Sequence, residues 1–304
     1  MGYWVHYCGV AHRCHVRSTI TAIIQMGPQD LMKFSESGTP FQSSSMRYDD
    51  LTLSTAFQPI FSLRHHSWIG YEALLRAKDS AGNEVPPLEV LGRPLVQGRW
   101  NDLERSVQLL HASNFAQMCI ADDRLFLNIR PDGFIVSEAY RRVVDATLKR
   151  LELTPHRIVL EVLESPNGKL QQLVEGIAGF RQQGFLIALD DFGVGHSNID
   201  RVWQLRPDIV KLDRSVVEQA ALDSRGARLL AKLVSLLRET GALVLVEGVE
   251  TQDEAFLALE CDADLVQGFY FGRPAAGRGD EATSKKVVDS LCNSFRRRSD
   301  PGIC

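Results

Sequence analysis

Seven apolar runs of strand length in this chain contain or lead directly into side chains able to do chemistry: Glu72, Asn128, Glu161, Asp190 with Asp191, Lys211, Glu247 and Gln267. A single glutamate closing a strand is ordinarily just the first solvated residue, and none of these alone marks a site. As a set at one rim, the five carboxylates repel, and their pKa values rise unless positive charge cancels them. Hard divalent cations such as Mg²⁺ or Mn²⁺ suit carboxylate and amide oxygens, and no Cys or His belongs to the set. The adjacent pair Asp190-Asp191 can serve two neighbouring metals at the roughly 4 Å separation of two-metal enzymes. Lys211 offers a donor to a nucleophilic water or a phosphoryl oxygen, or else an internal salt bridge that neutralises the acids. Such a set points to metal-assisted hydrolysis of a phosphate ester. Glycoside hydrolysis competes, but it needs two carboxylates across a scissile bond rather than an acid cluster with Asn and Lys.

Those residues meet only if the strands that carry them are neighbours. The runs are Ala56–Leu63, Ile69–Leu75, Leu125–Ile129, Ile158–Val162, Phe185–Leu189, Ile209–Leu212, Leu243–Val246 and Ala263–Val266. Eight such runs suit a closed barrel. Segments with helical period lie between most of them: Leu170, Leu173, Val174, Ile177 and Phe180 form one stripe, and Leu229, Leu230, Leu233, Leu236 and Leu237 another. The alternation predicts an α/β fold, a (β/α)8 TIM-like barrel in which strand carboxyl ends converge on one cleft. Only Arg64-His65-His66-Ser67 joins the first two runs, and so short a link permits only an antiparallel pair. The first strand is therefore expected to run in reverse.

Composition fits such a core: 304 residues, 44% hydrophobic, with a formal net charge of -4. The mild acidity argues against a DNA or RNA polymer as partner. No apolar run has the roughly 18 residues of a membrane span, so a cytoplasmic protein without membrane contact is expected. The six cysteines form no CxxC pair, which argues against a disulfide framework. Residues 1–50 read as a poorly ordered extension; its His6, Cys8, His12, Cys14 and His15 are metal-capable but match no zinc spacing. A catalytic domain is placed at 51–290 and a tail at 291–304.

With these residues in view, Glu72-Ala73-Leu74-Leu75-Arg76 resembles the signature of the EAL-domain family, bacterial phosphodiesterases that linearise cyclic di-GMP. Phe57-Gln58-Pro59-Ile60, Leu127-Asn128, Leu160-Glu161-Val162-Leu163-Glu164, Asp190-Asp191-Phe192-Gly193, Lys211-Leu212-Asp213, Val246-Glu247-Gly248-Val249-Glu250-Thr251 and Gln267-Gly268-Phe269 resemble family motifs in the expected order. The resemblance implies Glu72, Asn128, Glu161 and Asp190 as ligands of one Mg²⁺ or Mn²⁺. It implies Asp190 and Asp191 as ligands of a second, with Glu247 as ligand or general base. It implies that Lys211 and Gln267 position the attacking water, that Gln58, Leu75, Arg76 and Asp213 bind substrate, and that Glu164 and Glu250 steady loops. Cyclic di-GMP is the implied substrate, linear pGpG the product, and a homodimer the implied assembly. The chain departs from the pattern at Leu163, where the family usually has Thr, and at Val194, His196 and Asn198 in the loop after Asp191. An alternative reading keeps the fold as a cyclic di-GMP receptor or interaction module.

Overall fold

The computed structural model describes residues 43–92, 100–118, 122–136, 138–163, 170–194, 199–279 and 281–299. The calls made on His6 to His15, Glu164, His196 and Asn198 lie outside these residues. Among the described residues ten strands, numbered in chain order with their ranges given below, form one sheet of spatial order β1-β2-β10-β9-β8-β7-β6-β5-β3-β4. A further pairing of β2 (Leu51–Ser62) with β3 (Ser67–Lys78) closes it into a barrel. The eight barrel strands are β2, β3, β5 (Arg124–Ile129), β6 (Ile158–Val162), β7 (Leu186–Phe192), β8 (Ile209–Leu212), β9 (Leu243–Val246) and β10 (Leu265–Val266). Every predicted run therefore falls on a barrel strand. β2 is antiparallel to both of its barrel neighbours, and the remaining pairs are parallel. The reversed first strand is thus observed, joined to β3 through the turn at 63–66.

Two short strands went unforeseen. β1 (Met46–Tyr48) pairs with β2 inside the stretch set apart on composition, and β4 (Glu84–Val85) pairs with β3. Neither has the length to produce an alternating pattern. Both brace the upper part of the β2–β3 hairpin, which extends beyond the barrel and carries its own apolar cluster of Met46, Leu51, Leu53, Leu75, Val90 and Leu103. Val90 belongs to α1 (Pro87–Gly92) and Leu103 to α2 (Trp100–Gln117). The remaining helices are α3 (Pro131–Phe134), α4 (Glu138–Arg150), α5 (Leu170–Gln182), α6 (Ile199–Leu205), α7 (Arg214–Ala221), α8 (Ser224–Glu239), α9 (Gln252–Glu260) and α10 (Glu281–Ser299). α10 runs through the boundary placed at 290, with Leu291 and Cys292 buried.

The predicted stripe on α5 is buried at Leu173, Ile177 and Phe180. The stripe on α8 is split. Leu230, Val234 and Leu237 are buried, whereas Leu229 and Leu236 are exposed. Five leucines among nine positions wrap too far around a helix for one face to bury them all.

The chain enters the barrel through a buried polar knot. The Ser44 amide donates to Asn114 Oδ1 at 2.8 Å, and Asn114 Nδ2 donates to the Ser44 carbonyl and to Thr55 Oγ1, each at 3.0 Å. The Thr55 hydroxyl, which accepts from Asn114, also lies within hydrogen-bond distance of His111 Nδ1, at 2.8 Å. Burial pushes the His111 pKa down from 6.5 to about 3. Between those values the unfolded chain binds a proton that the folded one refuses, so stability is present above pH 6.5 and drains away as pH falls. Relative to His111→Asn, the native chain should lose about 2 kcal/mol more stability on going from pH 7 to pH 5 in urea unfolding. Parallel losses in the two proteins would sink this account of the knot.

Candidate active site

Inside the barrel one layer of side chains plugs the interior: Ile60, Phe126, Val159, Ala188, Ile209, Leu245 and Leu265. Side chains on a strand return to the same face every second residue. Two residues towards the carboxyl ends of the parallel strands stand Asn128, Glu161, Asp190, Lys211, Glu247 and Gln267. On the reversed strand the same step leads from Ile60 back to Gln58, which pairs in register with Glu72. The sequence-predicted set is therefore the next inward layer, a polar floor directly above an apolar plug.

Asp191 is the exception to the period-two rule, since adjacent strand residues point to opposite faces. β7 escapes it through a register shift against β8 between Leu189 and Phe192. Asp191 takes a left-handed conformation, φ 52°, within that bulge. Bulges beside active sites re-aim side chains in this way, and Asp is among the few residues that tolerate the conformation. Oxygens of Asp190, Asp191 and Glu247 consequently lie within 4.8 Å of one another.

Lys211, only 1% exposed, stands at the centre of the floor. Its Nζ lies 2.6 Å from Glu161, 2.8 Å from Glu247, 2.9 Å from Asp190 and 3.9 Å from Glu72. Burial opposes the ammonium charge, but the surrounding carboxylates outweigh it and hold the Lys211 pKa well above the usual lysine range. Burial drives the Glu161 carboxyl well above its ordinary value, with Lys211 pulling the other way. Burial pushes Glu247 up to about 8 against the same lysine. Glu72 is held differently: it accepts from Asn128 Nδ2 at 2.9 Å and from Gln267 Nε2 at 2.8 Å.

The residues around the rim divide. Arg76 shares the face of Glu72, four positions along β3, and donates to the Leu75 carbonyl at 2.9 Å. The Leu75 side chain does not enter the cleft: one position out of phase, it packs in the hairpin's apolar cluster. Gln58 Nε2 donates to the Gly272 carbonyl at 3.4 Å. Asp213 caps α7, accepting from the Ser215 amide at 2.9 Å. Glu250 pairs with both terminal nitrogens of Arg214, which lowers its pKa, and Arg214 also donates to Glu218 at 2.5 Å. Arg214 was not singled out from the sequence. Its place three residues after Lys211, at the start of a helix, was the only signal.

The residues present fit divalent cations. Glu161 Oε2 and Gln267 Oε1 are buried with no hydrogen-bond partner among the described residues, and Glu161 Oε1 and Asp190 Oδ1 face only the Lys211 ammonium. Such groups are costly unless something coordinates them. The donor set is oxygen only, the kind hard cations take.

A model of the EAL domain matches residues 45–274. The chain belongs to the EAL family. It is 26% identical over 227 residues to PdeN of Escherichia coli (strain K12), a probable cyclic di-GMP phosphodiesterase, covering 72% of this chain and 43% of that protein. It is 27% identical over 228 residues to the cyclic di-GMP phosphodiesterase RocR of Pseudomonas aeruginosa, covering 72% of this chain and 56% of RocR. The EAL chain thus spans about half the length of these relatives. A standalone EAL protein from Vibrio cholerae O395, solved with cyclic di-GMP, superposes with a TM-score of 0.69 at 23% identity, covering 79% of this chain and 99% of that one. BlrP1 of Klebsiella pneumoniae, solved with manganese and cyclic di-GMP, gives 0.67 at 22% identity, covering 82% and 61%. Both are likenesses of fold. Among the described residues, no helix is long and apolar enough to cross a membrane.

The loop behind Gln267 has no slack. A Cβ on Gly268 would sit 2.0 Å from the Val249 carbonyl oxygen, on the turn that follows Glu247. Gly268→Ala should therefore cost about 3 kcal/mol in chemical denaturation. A cost below about 1 kcal/mol would show that this turn can yield.

Proposed function

We propose that this EAL chain hydrolyses cyclic di-GMP to linear 5′-pGpG with two divalent cations, Mg²⁺ or Mn²⁺. What carries the reading is a charge imbalance. Five carboxylates face one ammonium at the barrel mouth, and ionised they leave it four negative charges from neutrality, the charge of two divalent cations. Relatives named as cyclic di-GMP phosphodiesterases and a fold neighbour solved with manganese point the same way.

In this reading Glu72, Asn128, Glu161 and Asp190 hold one cation, and Asp190 and Asp191 the other, with Glu247 beside it as ligand or general base. When bound, the cations neutralise phosphoryl charge and make the attacking water more acidic. The chain's own groups do the rest. As general base, Glu247 takes the water's proton. Lys211 and Gln267 orient that water. Arg76 holds a phosphate oxygen through charge-assisted bonds, and Gln58 and Asp213 fix the nucleotide at the rim. Water adds to phosphorus, the bond from phosphorus to the 3′ oxygen breaks, and the departing oxygen picks up a proton. Glu250 acts through its pairing with Arg214 to steady the turn that carries Glu247. Glu164 is assigned the same kind of role for the loop after Asp191.

Turnover decides between enzyme and receptor. The purified chain with cyclic di-GMP and Mg²⁺ or Mn²⁺ should accumulate pGpG, and Glu72→Ala should cut the rate roughly 100-fold or more without unfolding the protein. Tight binding with no linear product in either metal would leave the receptor reading standing.

We also assign self-association to the face where Trp203 of α6 and Leu236 of α8 line one cleft, with Leu229 farther along α8. These side chains are 62%, 48% and 58% exposed, an apolar surface of the kind that partners cover. Trp203→Glu combined with Leu236→Glu should yield a monomer in sedimentation velocity. A dimer that survives both charges would place the interface elsewhere.

A further inference from the structure

Lys211 does more in this arrangement than a donor to water requires. Its Nζ lies within 4 Å of an oxygen of each acid assigned to the first cation, Glu72, Glu161 and Asp190, and 2.8 Å from Glu247 beside the second. We propose that Lys211 is the resident counter-ion of the metal-free barrel, standing where the first divalent cation must enter, so that loading requires the ammonium to give up contacts.

Three observations support this. The carboxylates come from β3, β6 and β7 and from the residue after β9, so no local chain geometry holds them together. Glu161 is fully buried, its Oε1 lies 2.6 Å from Lys211 Nζ and its Oε2 has no hydrogen-bond partner, so among the described residues Lys211 alone offsets its charge. Glu72 already has amide donors from Asn128 and Gln267, which explains why it is the most distant of the four from Nζ. The lysine thus stands closest to the three acids other than Glu72 that surround it. An internal cation of this kind has two opposite consequences. It stabilises the metal-free fold, because like charges confined in a low-dielectric pocket repel strongly without it. It also weakens metal binding, because a dication entering the same pocket meets a fixed positive charge and must compete for the same oxygens.

The inference rests on the two-cation reading above, and the test separates them. In chelator, Lys211→Met should melt roughly 5–10 °C below the native chain. Titrated with Mn²⁺ alone in calorimetry, the variant should bind at least about ten-fold more tightly. Its Mn²⁺-induced rise in melting temperature should exceed that of the native chain. If the variant is unfolded in chelator, Mn²⁺ should restore its circular dichroism spectrum, and Glu161→Gln added to Lys211→Met should recover much of the lost melting temperature without metal. Equal or weaker Mn²⁺ binding by Lys211→Met, with native binding intact, overturns the counter-ion and leaves the phosphodiesterase reading in place. No Mn²⁺ binding by either protein removes both.

Discussion

The whole site depends on one periodicity. Every barrel strand that sends an apolar side chain inward sends its next inward side chain, two residues nearer the mouth, into a shared polar layer. Leu245 and Glu247, Val159 and Glu161, Ile209 and Lys211 are all such pairs. The plug beneath keeps water out from below, and the closed sheet holds the polar groups at fixed spacing. That confinement makes the layer expensive. Groups that would ionise without consequence at a surface are pressed together where their charges cannot be screened, and the raised pKa values of Glu161 and Glu247 register the cost. Catalytic sites concentrate such unfavourable electrostatics because reaction or ligand binding relieves them.

The reversed strand gives the mouth its asymmetry. A helix must normally separate successive barrel strands, but the tight turn after β2 lets it lie against β3 with no helix between. The hairpin then continues past the barrel and is braced there by β1, β4, α1 and α2. Arg76 rides on this extension, on the same face as Glu72 but higher. The floor and the hairpin therefore differ in character: a rigid, carboxylate-rich layer below, and the guanidinium of Arg76 on the same face above it. The knot of Ser44, Asn114, Thr55 and His111 anchors the outer side of the same hairpin, tying the incoming chain to α2.

What could be read from the sequence was what depends on period and order. Polar residues following apolar runs, such as Asn128 after Leu125–Leu127, announce a strand end, and strand ends in a parallel barrel converge. The reversal of β2 was legible because a four-residue link excludes any crossover. The bulge was not, since Asp190-Asp191 reads the same whether or not β7 slips its register. Nor was Leu75's exclusion from the cleft weighed, although strand alternation forbids it from sharing the face of Glu72 and Arg76. Leu229 and Leu236 misled because a leucine repeat does not say which side of a helix is outermost. His111 gave no signal, as burial of one histidine on a long helix is decided by what packs over it.

The departures in the loop after Asp191 bear on how firmly that residue is held. Val194 is 41% exposed, so its side chain contributes little to the arrangement below it. The backbone secures Asp191 instead. Phe192 pairs with Leu212 of β8, the Asp213 amide donates to the Phe192 carbonyl at 3.2 Å, and the Val194 amide closes a turn onto the Asp191 carbonyl at 3.3 Å. Leu163, where a hydroxyl is usual, likewise keeps its backbone tied to β5 through the Ile129 carbonyl at 3.2 Å. Main-chain bonds are indifferent to which side chain the residue carries. At Leu163 and Val194 a missing hydroxyl therefore removes a local bond worth about 1 kcal/mol while these main-chain bonds stay in place.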